Sequence, residues 1–281
     1  MDYGRHVQFG IFVIPDATQP LRPLEQAVKA DELGIDLIGI QDHPYQHRFH
    51  DTWTLLTAIA MRTDHVTVFP DVANLPLRPP AMLAKAAATL DLLSGGRVEV
   101  GLGAGGFWDA IRAMGGPVRT PGESVAALEE AIEVIRRVWS GDRGVRFEGR
   151  FYQLAGLNAG PKPAHPVGIW IGAYKPRMLG LVGRAADGWV PSLGYLEPQD
   201  MPAANARIDD AARAAGRDPA AIRRVLNVGA NLDADAFAEL VIEHGFDTFI
   251  IGEGPEEALR RFLDDVAPKV RELVAAARAA R

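Results

Sequence analysis

The chain of 281 residues is 48% apolar, contains no cysteine and carries a formal net charge of −6. Without cysteine it can form no disulfide, thiolate nucleophile or cysteine-ligated metal site, and its weakly acidic balance argues against nucleic acid as a partner. No apolar run approaches the roughly 18 residues that span a bilayer, and the first residues lack the pattern of a signal peptide. We therefore expect an enzyme-sized cytoplasmic protein with no membrane partner.

Short apolar strands alternate with helical patterns along the whole chain. The predicted strands are residues 7–13, 35–41, 65–71, 97–103, 167–171, 188–191, 223–228 and 246–251. A helix is predicted after each strand, at residues 20–33, 51–61, 80–93, 123–139, 176–186, 198–216, 233–244 and 255–278. Eight such units predict an α/β fold, a (β/α)₈ TIM barrel, as a single domain over residues 1–281, with an open parallel sheet as the alternative.

One segment departs from this alternation. Residues 145–154 have strand-forming residues on both sides of Gly149, which predicts a small β-hairpin inserted before the fifth strand. Such an insertion usually covers a barrel or builds an interface.

The active site of such a barrel lies at the carboxyl ends of its strands. Asp42 and His43 follow the second strand, and a histidine beside a carboxylate can exchange protons near neutral pH. A buried, merely hydrogen-bonded His43 is the alternative. Two further histidines, His47 and His50, suggest a metal site, but the proline after His43 and the lack of an acidic ligand at the right spacing lead us to expect no metal.

The fourth strand runs into glycines that leave room for a ligand. Gly103, Gly105 and Gly106 carry no side chain, so a flat ring or a ribityl chain could approach the backbone closely. A tight turn at the rim of a barrel is the alternative, because the run lacks the continuous helix of a dinucleotide-binding fingerprint. The polar residues that follow the last three strands are Ser192, Asn227 and Glu253.

The loop before the fifth helix has the composition of a phosphate site. Its free backbone N–H groups, next to the cations Lys175 and Arg177, favour a bound phosphate. An ordinary solvated loop is the alternative. The residues of this candidate site are Gly172, Ala173, Tyr174, Lys175 and Arg177.

Several runs of the sequence resemble the bacterial luciferase-like flavin and deazaflavin oxidoreductases. Residues 84–105 (AKAAATLDLLSGGRVEVGLGAG) are similar to the central signature of that family, and residues 27–34 to its first helix. Residues 176–179 (PRML) with 185–189 (AADGW) are similar to its second motif. The resemblance covers nearly the whole chain in order. It implies a (β/α)₈ barrel that binds coenzyme F420 or FMN with the ring in the barrel mouth.

The same resemblance implies roles for individual residues. His43 would donate or accept a proton beside the reactive carbon, and Asp42 would help to fix the ring. The backbone of Asp71, Val72 and Ala73 would form a bulge behind the ring, where the family often has a nonprolyl cis peptide. The other implied contacts are those of Gly103, Ala104 and Gly105 with the ring or its polar tail, and those of Gly172, Ala173, Lys175 and Met178 with the phosphate.

One departure from the family pattern argues against one of the family's activities. Sugar-phosphate dehydrogenases of the deazaflavin branch place a catalytic glutamate just after the fourth-strand glycines, where this chain has Gly106, Phe107 and Trp108. The difference argues against that activity. We expect an apolar substrate wall instead, formed by Phe107, Trp108, Tyr45 and Phe49.

Together, the residues and the resemblance predict an oxidoreductase that uses F420 for hydride transfer to or from a small organic substrate. The main alternative is an FMN-dependent luciferase-like monooxygenase supplied by a separate flavin reductase. A noncatalytic ligand-binding barrel and a metal-dependent hydrolase are weaker rivals. A flavin or F420 reductase would be the redox partner, and the resemblance implies a homodimer.

Overall fold

The structure, a computed structural model, describes residues 1–229 and 232–280. Its strands in chain order are β1 (Gln8–Val13), β2 (Leu37–Ile40), β3 (Thr67–Pro70), β4 (Ala73–Asn74), β5 (Val100–Gly103), β6 (Val145–Glu148), β7 (Gln153–Leu157), β8 (Ile169–Ile171), β9 (Gly188–Trp189), β10 (Arg223–Asn227) and β11 (Thr248–Gly252). Its α-helices are α1 (Arg22–Glu32), α2 (Thr52–Ala60), α3 (Pro80–Ser94), α4 (Trp108–Ala113), α5 (Pro121–Trp139), α6 (Pro176–Ala185), α7 (Met201–Ala214), α8 (Ala234–Ile242), α9 (Glu256–Arg261) and α10 (Ala267–Ala279). None of these helices combines the length and the apolar character that a membrane span requires.

Within the described part of the chain, nine strands form one sheet in the order β3-β2-β1-β11-β10-β9-β8-β5-β4. Every neighbouring pair is parallel. β3, at one edge, also pairs with the segment that leads into β5: the Val68 N–H donates to the Arg97 carbonyl (3.0 Å), and the Val68 carbonyl accepts from the Glu99 N–H (3.1 Å). The sheet therefore closes, and the predicted barrel is confirmed.

β3 and β4 are two segments of the third barrel strand. β3 pairs with β2, whereas β4 pairs with β5. Asp71 and Val72 lie between the two segments and are joined by a cis peptide bond, at the place where the family resemblance put the bulge. Counted as one strand, β3 and β4 restore the eight predicted β/α units.

The inserted hairpin is also confirmed. β6 and β7 pair in antiparallel register as a separate two-stranded sheet. Arg137 of α5 lies over the Phe147 ring, 5.4 Å from its centroid, and donates to the Arg146 carbonyl at 2.7 Å. The hairpin therefore packs against α5.

Some predicted boundaries are wrong. The fourth strand begins at Val100 rather than at residue 97, because residues 97–99 make only an isolated bridge with Val68. The helix predicted over 255–278 is α9 and α10 joined by a π-helical turn at Phe262–Val266, and the one predicted over 198–216 opens with a 3₁₀ turn at Pro198–Asp200. α4 was not predicted because its 6 residues are too few to show a helical period.

Local sequence sets the ends of several helices. Asp51 caps α2 by accepting a hydrogen bond from the Thr54 N–H at 2.9 Å, and Thr120 with Glu123 forms a capping box at the start of α5. Gly95 ends α3 in the left-handed region, at φ +71°, which glycine adopts without steric cost. The two caps fix where the loops before α2 and α5 end, and Gly95 fixes where the loop after α3 begins.

The barrel is filled below the strand ends. Buried side chains from the strands form an internal plug of Leu37, Phe69, Trp170, Val190, Val225 and Ile250. The Trp170 ring fits because β9 begins with Gly188, where a Cβ would lie 2.4 Å from that ring. The plug supports any site built above it at the carboxyl ends.

His165, at the amino end of the barrel, makes a pH-dependent contribution to stability. Its Nδ1 lies 2.8 Å from Asp91 Oδ1, and its Nε2 lies 3.9 Å from Glu99 Oε1. Interaction with Glu99 raises the pKa of His165 above its usual value, burial opposes the rise, and the Asp91 charge adds to it. A raised pKa means that the folded state holds this proton more tightly, so the stabilisation is complete below about pH 6.5 and is lost as the pH rises through the folded-state pKa.

We expect His165→Gln to lower the free energy of unfolding by about 1 kcal/mol more at about pH 5.5 than at about pH 9, because only the protonated ring gains from the two carboxylates. Urea denaturation at both pH values measures the difference. His47→Gln, a change at an exposed histidine, is the matched control. An equal loss at both pH values would contradict the assignment.

Candidate active site

A cavity of about 900 Å³ lies at the carboxyl ends of the barrel strands. Its wall is built mainly from the residues that end or follow β2, β4, β5, β8, β9 and β10. Every predicted site residue lines it: Asp42, His43, Asp71, Val72, Ala73, Gly103, Ala104, Gly105, Gly172, Ala173, Tyr174, Lys175, Arg177 and Met178. The fold thus brings these separate sequence segments to one place.

Of the polar and aromatic residues singled out at the strand ends besides the histidines, all but Glu253 and Phe49 line the cavity as well. Glu253 instead accepts a hydrogen bond from the Ile14 N–H (3.1 Å) and pairs with Arg22 (3.3 Å). Phe49 lies outside the cavity wall, in a backbone bridge with Asp16, so its place in the substrate wall was wrongly predicted. The residues that do line the cavity are Ser192, Asn227, Tyr45, Phe107 and Trp108.

Asp42 is held in an ion-pair cluster that the sequence did not reveal. Its buried carboxylate accepts hydrogen bonds from Arg78 Nε (2.5 Å) and Nη2 (2.7 Å), and from the Asn74 N–H (2.9 Å). Arg78 also pairs with Asp51, the N-cap of α2, at 2.6 Å. Arg78 supplies the counter-charge to Asp42, and the cluster anchors the loop that carries His43. The only sequence signal for Arg78 is its position in the loop after the third strand.

His43 stands in the cavity wall among aromatic rings. Its ring lies 5.4 Å from the Tyr45 ring at an interplanar angle of 19°, and 5.4 Å from the Phe107 ring at 67°. Burial lowers the pKa of His43, and the Asp42 charge opposes the fall only in part. The imidazole is therefore mainly neutral at about pH 7, the form that can accept a proton.

The other two histidines of this loop have different surroundings. His50 Nε2 lies 3.1 Å from the Pro20 carbonyl oxygen, and His47 is exposed. In residues 1–229 and 232–280 no group of three His, Asp or Glu side chains is arranged to hold a metal ion.

Glycines in β5 and directly after it keep one wall of the cavity bare. A Cβ on Gly101 would lie 2.1 Å from the Pro70 carbonyl oxygen, and one on Gly103 would lie 2.8 Å from a methyl of Val72. β5 can therefore approach the third strand this closely only without side chains. A Cβ on Gly106 would meet no described atom within 4 Å, so the wall ends in open space.

The amino end of α6 places two cations on the cavity wall. Lys175 is its N-cap residue and makes no side-chain capping bond, and Pro176 follows it. Lys175 and Arg177 both line the cavity and are exposed. Free N–H groups at a helix start, next to cations, favour a phosphate.

Asp71 and Asn227 lie at the floor of the cavity. Asn227 Nδ2 donates to Asp71 Oδ1 (3.2 Å) and to Ser192 Oγ (3.3 Å). Among the described residues, Asp71 Oδ2 and Asn227 Oδ1 have no hydrogen-bond partner. Burial raises the pKa of Asp71 to about 7, and the hydrogen bond from Asn227 offsets only part of this rise.

Two comparisons with known sequences decide the family. Residues 1–238 match the family model of the luciferase-like monooxygenases. The chain is also 30% identical over 269 residues to the 5,10-methylenetetrahydromethanopterin reductase of Archaeoglobus fulgidus, which covers 95% of this chain and 77% of the relative. The chain belongs to the luciferase-like monooxygenase family.

Other proteins are similar to this luciferase-like chain in sequence or in structure. It is 33% identical over 222 residues to the F420-dependent glucose-6-phosphate dehydrogenase of Amycolatopsis mediterranei, covering 75% of this chain but only 65% of the relative. An F420-dependent secondary alcohol dehydrogenase in complex with an F420-acetone adduct superposes with a TM-score of 0.83 at 21% identity, over 95% of this chain and 99% of that one. The likeness in structure shows a shared fold.

We expect Arg78→Leu to destabilise the luciferase-like chain by about 3 kcal/mol, because it leaves the buried Asp42 carboxylate without its counter-charge. Urea denaturation measures the loss, and part of it should return in the double variant Arg78→Leu/Asp42→Asn. Arg136→Leu, which breaks a largely exposed pair with Asp187, is the control and should cost less than about 1 kcal/mol. A double variant no more stable than Arg78→Leu would show that the buried charge is not the cause.

Proposed function

We propose that this chain is an F420-dependent oxidoreductase that transfers a hydride between the deazaflavin and a small, largely apolar organic substrate. The observation that carries the proposal is that a bare glycine wall, a cationic helix start and His43 share one cavity. The relative named as F420-dependent glucose-6-phosphate dehydrogenase supports F420 as the cofactor.

The residues present fit such a cofactor. Gly103, Ala104 and Gly105 would lie along the ring, and Lys175 with Arg177 would hold the phosphate. The unpartnered buried oxygens at the floor leave hydrogen-bonding capacity for a polar ring edge. When bound, the cofactor supplies the hydride-transfer chemistry.

His43 would act as the proton-transfer group. Its neutral imidazole can accept the proton of a substrate hydroxyl as hydride leaves the adjacent carbon, and can return that proton in the reverse direction. The preceding residue, Asp42, is fixed by Arg78, and the Tyr45 ring packs on the imidazole. These contacts hold the orientation of His43, which is what a proton transfer requires.

The surroundings of His43 favour a substrate without a phosphate. Phe107 and Trp108 line the cavity directly after the glycines, and neither of them is a carboxylate. Lys175 and Arg177 are the cations among the described residues of the cavity wall, and a cofactor phosphate would engage both. We therefore do not expect turnover of glucose 6-phosphate, the substrate in the name of the Amycolatopsis relative.

A second candidate is an FMN-dependent monooxygenase that receives reduced FMN from a separate reductase. The family model bears the name of monooxygenases. The oxygenating constituent of a 3,6-diketocamphane monooxygenase, in complex with FMN, shares the fold with a TM-score of 0.74 at 16% identity, over 95% of this chain and 99% of that one. FMN also combines a flat ring with a phosphate, so the same wall residues would serve it.

Titration of the purified protein with F420 and with FMN, followed by absorbance and fluorescence, tests the proposal. We expect saturable binding with F420 bound more tightly, and F420 reduction by small secondary alcohols without oxygen uptake. Tighter FMN binding with substrate-dependent oxygen uptake would favour the monooxygenase. Saturable binding of neither cofactor would overturn both.

His43→Gln should lower turnover at about pH 7.5 by about a hundredfold or more while leaving the Kd of the cofactor unchanged, because it removes the proton-transfer group alone. The wild-type kcat/KM should fall as the pH drops through a value below the usual pKa of histidine, since burial depresses that of His43. This acidic limb should be missing in the variant. His47→Gln is the control, and an unchanged turnover in His43→Gln would remove His43 as the proton-transfer group.

Lys175→Ala and Arg177→Ala should each weaken binding of F420 and FMN by about tenfold, because each removes a charge-assisted contact to the phosphate. Riboflavin, which has the FMN ring and no phosphate, should bind both variants as it binds the wild type. Arg112→Ala removes an exposed cation on the neighbouring α4 and is the matched control. An equal loss for riboflavin would remove the phosphate assignment.

A further inference from the structure

The carboxyl of Asp71 has no part in the proton transfer assigned to His43. Asp71 follows β3, is 8% exposed and has its Cβ only 3.2 Å from the place a Cβ on Gly39 would occupy. Its side chain is therefore turned to β2, and Asn227 from β10 and Ser192 from the loop after β9 complete a hydrogen-bonded cluster. Three different strand ends thus meet in this floor cluster of Asp71, Asn227 and Ser192.

No counter-charge accompanies the buried carboxyl. Among the described residues no cation pairs with Asp71, whereas Asp42 is paired with Arg78. The neighbours of Asp71 are Gly39 and Asn227, which carry no charge, and Asn227 is bonded in turn to the uncharged Ser192. The titratable groups that share the cavity are Asp42, His43, Lys175, Arg177 and three tyrosines, and none of them is hydrogen-bonded to Asp71. The neutral carboxyl is favoured under these conditions, because a buried unpaired carboxylate is costly.

The floor cluster also has unused hydrogen-bonding capacity. Asp71 Oδ2 and Asn227 Oδ1 are buried, and no described group is bonded to either. Buried polar atoms in folded proteins nearly always have partners, so a pair of them in residues that line a cavity points to a bound group. A neutral carboxyl donates through its O–H, and an amide oxygen accepts. A donor next to an acceptor matches the C=O and N–H of a cyclic amide.

We propose that Asp71 and Asn227 bind the lactam edge of the cofactor ring, with the neutral Asp71 carboxyl donating to a ring carbonyl and Asn227 Oδ1 accepting from the adjacent ring N–H. The proposal rests on the proposed function, because it takes the ring of F420 or FMN as the ligand. It makes Asp71 a binding residue whose proton is taken up with the ligand. Binding should therefore weaken as Asp71 loses its proton at higher pH.

The test is the Kd of F420, and separately of riboflavin, for the wild type and for Asp71→Asn from about pH 6 to about pH 8.5. Asparagine keeps a neutral N–H donor at every pH. The ratio of the wild-type Kd to the Asp71→Asn Kd cancels ionisations of the ligand and of other residues. We expect this ratio to be flat at the acidic end and to rise by about tenfold for each pH unit above about pH 7.

Two further variants separate binding from folding. Asp71→Ala, checked for folding by circular dichroism and thermal denaturation, should bind about tenfold more weakly than the wild type at about pH 6, because it removes the donor. Asp109→Asn is the control, because it removes a carboxylate of 94% side-chain exposure on α4. The ratio of the wild-type Kd to the Asp109→Asn Kd should stay near one at every pH. If Asp71→Ala does not fold, the pH dependence of the Asp71→Asn ratio decides alone.

The outcomes distinguish this proposal from the proposed function. If the wild type binds F420 or FMN and the ratio stays flat through pH 8.5, the floor subsite is wrong and the cofactor assignment stands. If the wild type binds neither, the cofactor assignment and the subsite both fall. A rising ratio with unchanged riboflavin binding in Lys175→Ala supports two independent contacts, one at the ring edge and one at the phosphate.

Discussion

The break in the third barrel strand is the constraint on which the rest of the site depends. β3 pairs with β2 and β4 pairs with β5, so the chain must step sideways between Pro70 and Ala73 while the barrel closes around it. The step turns Asp71 inward and sets Val72 against β5. β5 can pack against this step only because position 101 is glycine, since a Cβ there would clash with the Pro70 carbonyl oxygen. The floor of the cavity and its bare wall are therefore two results of one packing requirement.

Two acidic residues of the cavity lie in opposite environments. Asp42 is buried with a guanidinium, two of whose nitrogens bond its oxygens, and this pair joins the loop after β2 to the start of α2 through Asp51. Asp71 is buried with a neutral carboxamide, and its pKa rises to about 7. Asp42 therefore anchors its loop through its counter-charge, whereas Asp71, which lacks one, is able to gain and lose a proton near neutral pH. The partner, rather than the residue type, separates the two roles.

The sequence predicted the barrel because strands buried on both faces appear as short runs of β-branched residues, and each run is followed by a helical period. It misplaced the start of β5, since residues 97–99 make only an isolated bridge with Val68, a residue about 30 positions earlier in the chain. It missed α4, which is too short to show a period. For the site, strand ends predicted the residues that share the cavity, but Glu253 and Phe49 also follow strands and lie elsewhere.

By itself, the sequence determined the eight-fold alternation, the family signature, the glycines beside the third strand and the two cations at the start of α6, because each is a local pattern that survives whatever the chain packs against. Only the tertiary structure decided the state of each polar group. The pairing of Asp42 with Arg78, the burial of His43 among aromatic rings and the isolation of Asp71 beside Asn227 depend on residues from other strands and loops. Such neighbours and the exclusion of water set the charge and protonation of a group, and the local sequence predicts neither the neighbours nor the burial.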